Sequence, residues 1–397
     1  MPLSPHAVGF SVVAPNRNGA APGAPKTATT RVVTKINRTA VLDAIRASGP
    51  MTRRDIQEHT GLSSATVERL CSSLVAEGLI VADGSERSAR GRPAVLYRHA
   101  GEGRVVAAVE VSASGVRGRL VDLDGRVVYV APELPCGDGE APRGVQATLR
   151  VTEDLLEAAR TLNKPCLAVG VSVPGAVSTP EGRVRNAVEL GWYDLPLGDI
   201  LRARHELPIV IENDANAVGY GEWSRGAGVG SEHLVAFVLG NGAGAGIVSG
   251  GKILRGNRSA AGEIGFLLAD RSAFDALYTL QGDLETRIAT ASGPSVGALL
   301  DAAVAGEADA VRAAAEVFDY VGIACAALSA VLDPEVIVLA GQLARQPQYS
   351  VKQVRQRLVG RITFLPNLIA SQLGDEAALT GVAQIAIDRA RESIYLT

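Results

Sequence analysis

A chain of 397 residues, 47% of them hydrophobic and 4% aromatic, is too long for one small core and predicts two or three globular domains. Its four cysteines are scattered without a CxxC pair, which argues against a disulfide framework and against a cysteine-based zinc site. No apolar run reaches the ~18 residues of a membrane span and no signal sequence is recognisable, so we expect a cytoplasmic protein with no membrane partner.

The charge is divided unevenly along the chain. Residues 1–99 carry 13 Lys and Arg against 7 Asp and Glu, whereas residues 100–397 carry 26 against 35. A basic front joined to an acidic body indicates that only the front meets a polyanion. Residues 1–30, rich in Pro, Ala and Gly without periodicity, predict a disordered tail.

Residues 31–99 have the pattern of a winged helix-turn-helix domain. A first helix is predicted over residues 36–45 from the helical spacing of apolar side chains that begins at Ile36. Thr52-Arg-Arg-Asp55 resembles a capping box that starts a short second helix, and Gly61 supplies a tight turn. Ser63 is placed to cap a third helix, whose apolar face includes Val75. This order of helices is typical of DNA-binding domains.

Two short strand-like runs follow, at residues 78–82 and 95–97, and the loop between them is polar and basic. Its Arg90-Gly-Arg-Pro93 segment has two guanidinium groups suited to phosphates or to a narrow minor groove, as in a wing. The alternative is a three-helix protein-interaction module with a charged hairpin. For DNA binding, the predicted contact residues are Thr52, Ser63, Ser64, Thr66, Arg69, Arg90, Gly91 and Arg92.

From residue 104 onward the pattern is α/β. Apolar runs at 105–111, 118–123 and 127–130 predict a β meander, followed by a helix at 144–162 and a strand at 166–173 that ends at Pro174-Gly175. A second meander is predicted over 233–254, helices dominate 273–332, and a buried strand follows at 336–339. We therefore expect two lobes, residues 104–225 and 226–397, with the last helix returning to the first lobe.

Glu212-Asn-Asp-Ala-Asn216 lies where a predicted strand, residues 207–211, meets a helix. An open α/β sheet presents ligand-binding side chains at such corners. Asn213 and Asp214 together offer a donor and acceptors for the hydroxyl groups of a sugar. The alternative is that Asp214 only caps the helix.

Three features together resemble the ROK family of repressors and sugar kinases, specifically its transcriptional-regulator branch, over nearly all of residues 36–397. They are Arg90-Gly-Arg-Pro-Ala94, Glu212-Asn-Asp-Ala-Asn216, and Gly240-Asn-Gly-Ala-Gly-Ala-Gly246 followed by Leu254-Arg-Gly256 and Ala261-Gly-Glu-Ile-Gly265. The resemblance implies a two-lobed, actin-like and hexokinase-type body of the duplicated ribonuclease H-like kind. It also implies a sugar in the interlobe cleft, with Asp214 at the position of the kinase base. The implied sugar-binding residues are Gly175, Glu189, Asn213, Asp214, Glu263, Phe266 and Glu285.

The chain departs from the kinases of this family at the first phosphate-binding turn. They have an Asp, two glycines and a Thr where this chain reads Glu110-Val-Ser-Ala-Ser114. Ser112 and Ala113 place side chains where the close approach of phosphate requires none. A third turn, Ala340-Gly-Gln342, has one glycine where the family often has two. The glycine-rich turn at 240–246 is retained, but a hairpin needs no nucleotide to explain its glycines. We expect no useful ATP turnover, no enzyme activity and no ATP cofactor.

The chain also departs from the family at the zinc site and in the sugar pocket. Phe266 takes the place of a zinc-binding His, residues 267–281 contain no Cys, and Asp283 stands at the last Cys position. We therefore expect no zinc, because two soft ligands are missing. Phe266 also makes one wall of the pocket more apolar, and Glu189 stands where the family commonly has Asn, so the sugar itself is left open.

The sequence as a whole predicts a sugar-responsive transcription regulator of carbohydrate genes with a degenerate kinase-like cleft. Its expected partners are double-stranded operator DNA, a sugar or phosphosugar effector, and further copies of itself in a homodimer or homotetramer. A dimer would place two recognition helices in major grooves about 34 Å apart. Two alternatives remain open: a bifunctional sugar kinase that phosphorylates a hexose with ATP, and a body that serves only as a dimerisation scaffold.

Overall fold

The computed structural model describes residues 30–86, 94–136, 141–179, 181–275 and 281–396. The predicted disordered tail lies outside the described residues except for its last residue, as do the predicted wing residues Arg90, Gly91 and Arg92. The described chain forms a small N-terminal head followed by two α/β lobes.

The head consists of three helices and a three-stranded antiparallel sheet of order β1-β3-β2. Apolar side chains of the helices and strands form its core, and Ile56 and Leu74 are fully buried there. Two side chains that the sequence assigns to apolar faces lie on the surface instead, since Ile36 is 61% exposed and Val75 is 42% exposed. The elements are α1 (Thr30–Ser48), β1 (Met51–Thr52), α2 (Arg53–Thr60), α3 (Ser64–Ala76), β2 (Ile80–Glu86) and β3 (Ala94–His99).

The helix boundaries in the head follow from capping residues. Thr52 and Asp55 form the predicted capping box at the start of α2. Gly61 ends that helix with a φ of +69°, a conformation that glycine adopts without steric cost. The Ser63 side chain accepts a hydrogen bond from the Thr66 backbone amide at the start of α3. The predicted order of helix, short helix, glycine turn and longer helix is confirmed.

The first lobe is built on a five-stranded sheet of order β11-β7-β4-β5-β6. Its β7 is parallel to both β4 and β11, whereas β5 is antiparallel to β4 and β6. A second, small sheet of order β10-β9-β8, absent from the sequence-based expectation, follows β7. The elements are β4 (Val105–Val111), β5 (Val116–Asp122), β6 (Val127–Val130), α4 (Ala141–Thr161), β7 (Cys166–Val173), β8 (Ala176–Ser178), β9 (Arg183–Ala187), β10 (Trp192–Leu195), α5 (Leu197–Arg202), β11 (Ile209–Asn213) and α6 (Asp214–Arg225).

The second lobe repeats the topology of the first. Its five-stranded sheet has the order β14-β13-β12-β15-β16, so an antiparallel meander is again extended by two parallel strands. The elements are β12 (His233–Leu239), β13 (Ala243–Ser249), β14 (Lys252–Ile253), α7 (Asp283–Ser292), α8 (Val296–Val304), α9 (Ala308–Leu332), β15 (Val336–Gly341), α10 (Pro347–Leu358), β16 (Asn367–Ala370) and α11 (Ala377–Leu396). The duplicated sheet is the architecture that the ROK resemblance implies.

Helices α6 and α11 join the two lobes. They belong to one apolar cluster with side chains from both large sheets, including Ala108 of β4 and Ala236 of β12. The helices cross closely, because a Cβ atom added at Gly221 or Gly381 would overlap the backbone of the other helix. Near its end α11 also contacts the head, where Ile394 packs against the head core.

One helix of the described part of the chain, α9, is long and apolar enough by composition to cross a membrane. In the fold it contributes Val317, Phe318, Val321 and Cys325 to the core of the second lobe. That packing is the arrangement expected of a core helix.

Candidate functional site

The predicted recognition helix α3 presents a polar face to solvent. Ser63, Ser64 and Arg69 are exposed, and Thr66 is half-buried. The hydroxyl oxygens of Ser63 and Thr66 lie 2.9 Å apart at the beginning of the helix. An exposed helix start with hydroxyl groups and free backbone amides is suited to phosphate or base contacts.

Ion pairs surround this polar face. Arg53 contacts Glu68 at 3.0 Å and Arg54 contacts Glu58 at 2.9 Å. Arg69 is therefore the arginine of α2 and α3 that has no carboxylate partner among the described residues. A free guanidinium on a recognition helix is the group expected to reach base edges.

Thr52 differs from its predicted role. It is 5% exposed, and its hydroxyl group lies 2.8 Å from a carboxylate oxygen of Asp55, which also accepts from the Thr52 backbone amide. The residue closes the capping box and does not face solvent. Thr52 is therefore a structural residue of the head and not a DNA contact.

The second candidate site is the cleft between the lobes, where carboxylates from several segments converge. Asp214 begins α6, and its pKa is raised first by burial and then by the neighbouring charges of Glu189, Glu263 and Glu110. Burial raises the pKa of Glu285 in α7, and the charges of Glu189 and Glu263 add to the shift, so Glu285 lies near these two carboxylates as well. The structure therefore brings together four acidic residues that the resemblance assigns to the sugar, and adds Glu110 to them.

Asn213 organises the first-lobe side of the cleft. Its Oδ1 accepts a hydrogen bond from the Asn216 amide and so caps α6. Its Nδ2 donates to the Gly175 carbonyl oxygen at 2.9 Å and to Asp214 Oδ1 at 3.0 Å. Both amide hydrogens are thus engaged, so Asn213 positions Asp214 and the Gly175 turn. The alternative prediction from the sequence is that Asp214 only caps the helix. In the structure Asn213 supplies that cap.

Asp214 keeps one carboxylate oxygen for a ligand. Oδ1 accepts from Asn213 and from the Ala215 amide at 2.8 Å, while Oδ2 has no hydrogen-bond donor within the described residues. Burial, aided by the surrounding carboxylates, raises the pKa of Asp214 to about 7. Burial also raises the pKa values of Glu263 and Glu285. Hydrogen bonds from the hydroxyl groups of a ligand would stabilise the ionised forms of these carboxyl groups, because they replace the water lost on burial.

Glycines shape the second-lobe wall around Glu285. A Cβ atom at Gly265 would lie 3.0 Å from the Glu285 carboxylate, and one at Gly242 would lie 3.3 Å from it. Gly175, on the opposite wall, has a φ of +79°, and a Cβ there would overlap the carbonyl oxygen of Asn186. Phe266 ends the 3₁₀ turn Ile264–Phe266 with its side chain 39% exposed. Its predicted role as an apolar wall of the pocket stays a prediction.

Two polar contacts cross from one lobe to the other beside the cleft. Asn241 of the glycine-rich turn donates to Glu189 at 3.0 Å. Arg255 donates to Glu212 Oε2 through Nε at 2.9 Å and through Nη2 at 2.6 Å. The Glu212 side chain is 1% exposed; Arg255 pairs with its Oε2, and its Oε1 accepts from the Asn213 backbone amide and from Asn216 Nδ2. Glu212 and Arg255 both lie in motifs that carry the family resemblance, but the sequence alone predicts no role for either.

The first hairpin turn of the body is closed by its own side chains. Ser112 Oγ lies 2.7 Å from Ser114 Oγ and also contacts the Gly115 carbonyl oxygen at 3.1 Å. Glu110 beside it pairs with Arg117 at 2.8 Å. In the second lobe, Gln342 donates to the Gly240 carbonyl oxygen and accepts from the Gly297 amide. Side chains of the protein therefore form hydrogen bonds with the two turns that correspond to phosphate-binding turns in the kinases of this family.

Among residues 30–86, 94–136, 141–179, 181–275 and 281–396, no group of three or more His, Cys, Asp or Glu side chains has a metal-binding arrangement. Asp283, which stands at the family's last zinc-ligand position, accepts from the Ala269 amide and pairs with Arg287. These contacts are those of a structural carboxylate.

A winged helix joined to a duplicated α/β body with an acidic interlobe cleft defines a DNA-binding regulator built on a sugar-kinase fold. The sequence profile of the ROK family matches residues 107–389, and that of the IclR helix-turn-helix domain matches residues 39–84. The chain belongs to the ROK family.

Relatives of this chain include both repressors and kinases. A putative xylose repressor of Caldicellulosiruptor sp. (strain Rt8B.4) is 26% identical over 387 residues, which cover 90% of this chain and 96% of the relative. The xylose repressor of Bacillus subtilis (strain 168) is 22% identical over 92% of this chain and 98% of its own length. A glucokinase of Halalkalibacterium halodurans is 29% identical, but over 54% of this chain and 74% of the kinase.

Solved structures give the same division. The crystal structure of a ROK family transcriptional regulator, a homolog of the E. coli MLC protein, matches with a TM-score of 0.77 at 21% identity and covers 92% of this chain and 99% of its own. A ROK family glucokinase from Streptomyces griseus, solved with glucose and AMPPNP, has a TM-score of 0.59 at 25% identity and covers 72% of this chain and 99% of its own. The repressor matches include the head, so this chain has the architecture of a DNA-binding regulator.

Proposed function

We propose that this protein is a transcription regulator whose operator binding responds to an uncharged sugar held in the interlobe cleft without turnover. The observation that carries the proposal is the convergence of Glu189, Asp214, Glu263 and Glu285 below a DNA-binding head. Each carboxylate accepts hydrogen bonds from vicinal hydroxyl groups. The xylose repressors among the relatives support a sugar as the effector class.

The charge of the cleft favours an unphosphorylated sugar. Carboxylates repel a phosphate dianion, and burial strengthens the repulsion because the effective dielectric constant is lower than that of water. Two arginines beside the cleft are engaged in ion pairs, Arg117 with Glu110 and Arg255 with Glu212. A neutral polyol replaces water at the carboxylates without adding a like charge.

The internal bonds of the turns support binding without phosphoryl transfer. A kinase places glycine amides and a metal ion against the transferred phosphate. Here the Ser112 and Ser114 hydroxyl groups bond to each other, and Gln342 ties the turn at Gly240 to α8. Asp214 then serves as a ligand contact at the vestigial position of a base.

Helix α6 supplies a route from the cleft to the head. It begins at Asp214 and ends at Arg225, whose Nη2 donates to the Asp124 carbonyl oxygen at 3.0 Å. A carboxylate oxygen of Asp124 lies 2.9 Å from His99 Nδ1 in β3 of the head. A sugar that shifts the start of α6 thereby changes the seating of the head. In a homodimer or homotetramer this movement alters the distance between recognition helices, which must fit half-sites about 34 Å apart.

The test has two arms, sugar binding and operator binding. Calorimetric titration of neutral sugars and their phosphates is expected to give saturable binding for an uncharged sugar, which then changes the retardation of operator DNA. Arg69→Ala is expected to weaken specific operator binding by about tenfold and to leave sugar affinity unchanged. Arg160→Ala, which removes an exposed arginine of α4, is the matched control. Unchanged operator affinity in Arg69→Ala would refute the contact proposed for α3.

A body that serves only as a scaffold predicts that no sugar binds, and such a result would refute the effector proposal. The second candidate function is that of a bifunctional sugar kinase. The glucokinase relatives and the pKa of Asp214, near that of an effective general base, favour it. Sugar-dependent release of ADP, abolished by Asp214→Asn, would establish that function. We expect no ADP release with any sugar that binds.

A further inference from the structure

A cavity of about 730 Å³ lies where the head meets the body. Its walls come from α1 through Arg46, from the β5–β6 turn through Asp124, and from the later parts of α6 and α11. The α6 wall begins at Tyr220, six residues after Asp214, which is roughly 9 Å along a helix axis. The cavity is therefore separate from the interlobe cleft.

Most polar side chains of this cavity bond to one another. Asp388 accepts from the Tyr220 hydroxyl at 2.7 Å, from Gln384 Nε2 at 3.0 Å and from Arg391 Nη1 at 3.3 Å. Trp223 Nε1 donates to the Ser231 carbonyl oxygen at 2.9 Å. Burial and the neighbouring Asp388 raise the pKa of the Tyr220 hydroxyl above its usual range, which keeps it protonated as a donor. These groups form the fixed part of the wall.

Two guanidinium groups keep donors for a ligand. Arg46 approaches Asp43 no closer than 3.6 Å, which is beyond hydrogen-bonding distance, and both side chains are more than two-fifths exposed. Arg225 uses Nη2 for the Asp124 carbonyl oxygen and for Gln384 Oε1, while its Nε and Nη1 have no acceptor in the described chain. Unused guanidinium donors select carboxylate or phosphate oxygens.

An aromatic wall lies beside these cations. The rings of Tyr220 and Trp223 stack with centroids 5.2 Å apart and an interplanar angle of 27°. Such a wall covers the carbon skeleton of a small organic molecule, whereas inorganic anions do not use it.

We propose that this cavity is a second ligand site, for a small organic anion whose carboxylate or phosphate oxygens bind Arg46 and Arg225. Arg46 belongs to the head and Arg225 to the body, so the anion joins the two parts and stabilises one seating of the head. The cavity binds a negatively charged ligand, whereas the carboxylates of the interlobe cleft repel one. The protein thus reads two classes of metabolite at two places, and the proposal does not depend on a sugar binding in the cleft.

The test uses the intrinsic fluorescence of the full chain. Trp223 borders the cavity, whereas Trp192 is 1% exposed in the first lobe. Titration with citrate, glucose 6-phosphate, inorganic phosphate and glucose is expected to show saturable quenching by citrate or glucose 6-phosphate, and a weaker effect of inorganic phosphate. Citrate and glucose 6-phosphate distinguish a carboxylate from a phosphate ligand. Trp223→Phe removes the signal, and calorimetry then shows that the anion still binds.

Arg46→Gln and Arg225→Gln are each expected to weaken anion binding by about tenfold, the usual effect of losing a charged hydrogen bond. Arg160→Gln, an exposed arginine outside the cavity, is expected to leave it unchanged. Asp214→Asn is also expected to leave it unchanged, which separates this site from the cleft. The proposal is overturned if no tested anion binds, if both cavity variants bind normally, or if Arg160→Gln or Asp214→Asn causes the same loss.

Discussion

The two lobes share one sheet topology but differ at the same hairpin turn. In the first lobe, the turn between β4 and β5 contains Ser112 and Ser114, whose hydroxyl groups bond to each other. In the second lobe, the turn between β12 and β13 is Gly240-Asn-Gly242, and Asn241 bonds across the cleft to Glu189. One turn is closed within its own lobe, whereas the other contacts the opposite lobe.

This difference separates two tasks that a kinase requires together. Phosphoryl transfer requires groups that position the phosphates and stabilise their charge, whereas sensing requires only that the lobes respond to a ligand between them. In the first turn, the hydroxyl groups of Ser112 and Ser114 are engaged with each other. Retention of the second preserves a contact that depends on the distance between the lobes. The comparison teaches that two copies of one sheet topology differ in whether this hairpin turn bonds within its own lobe or across to the other lobe.

The link between the lobes is tested most strongly by Arg255→Ala. It leaves the Glu212 charge buried and unpaired, so we expect a loss of about 3 kcal/mol in the free energy of unfolding. Chemical denaturation measures the loss. Arg312→Ala, at an exposed ion pair of α9, is expected to cost less than about 0.5 kcal/mol. Equal losses in the two variants would show that the lobes do not depend on the buried pair.

Asp214→Asn tests the first-lobe contribution to the cleft. Loss of charged hydrogen bonds to two sugar hydroxyl groups is expected to weaken sugar binding by about 100-fold. Calorimetry measures the change. Asp199→Asn, at an exposed carboxylate of α5, is the control, and an affinity loss no larger than that of the control would remove Asp214 from the binding site.

The pH dependence of sugar binding follows from the same carboxylate. Burial together with Glu189, Glu263 and Glu110 raises the pKa of Asp214 to about 7, and the ionised form accepts from more hydroxyl groups. We expect affinity to rise about tenfold from pH 6 to pH 8, as the ionised fraction does. Without sugar, the folded state binds more protons than the unfolded state between pH 3.8 and about 7. The stability contributed by protonated Asp214 is therefore lost as pH rises through that window. A flat affinity profile in the native protein would contradict this assignment.

Asn241→Ala tests the second-lobe turn and has the smallest expected effect. Loss of its hydrogen bond to Glu189 removes about 1 kcal/mol from the arrangement in which the two lobes are in contact at this point, so sugar affinity is expected to fall about fivefold if the sugar binds that arrangement. The midpoint of thermal unfolding without sugar stays close to that of the native protein. Asn367→Ala, at an exposed position of β16, is the control. A stronger affinity in Asn241→Ala would mean that the contact holds the cleft in an unproductive arrangement.

Much of the fold is predictable from the sequence because its central strands are apolar runs bounded by turn residues. The predicted bounds of β4, β6 and β7 agree with the structure. The strands β8, β9 and β10 are too short and polar to produce such a run, and they form a sheet only after Gly175 turns the chain back. Strand β11 ends two residues later than predicted, which makes Asn213 both the last strand residue and the helix cap.

The site is less predictable, because roles depend on partners distant in sequence. The amide of Asn213 is engaged by Gly175, 38 residues earlier, and no local pattern distinguishes that role from a sugar contact. Because Glu212 stands near the end of a buried strand, the sequence indicates that its charge needs a cation as a partner. It does not indicate that Arg255 is that cation. The capping box identified Thr52 as a helix start, and the same bonds remove it from the DNA-binding surface.

Helix α11 has a consequence for the order in which the protein is made. It covers a face of the first-lobe sheet at Ala108 and Ala168, yet it is synthesised more than 200 residues after those strands. During translation that sheet emerges with one apolar face bare, a state prone to aggregation. A fragment that stops at Arg225 therefore contains every strand of the first lobe and still lacks a complete core. A complete core in the first lobe, and the contact of the head with Ile394, therefore both require α11.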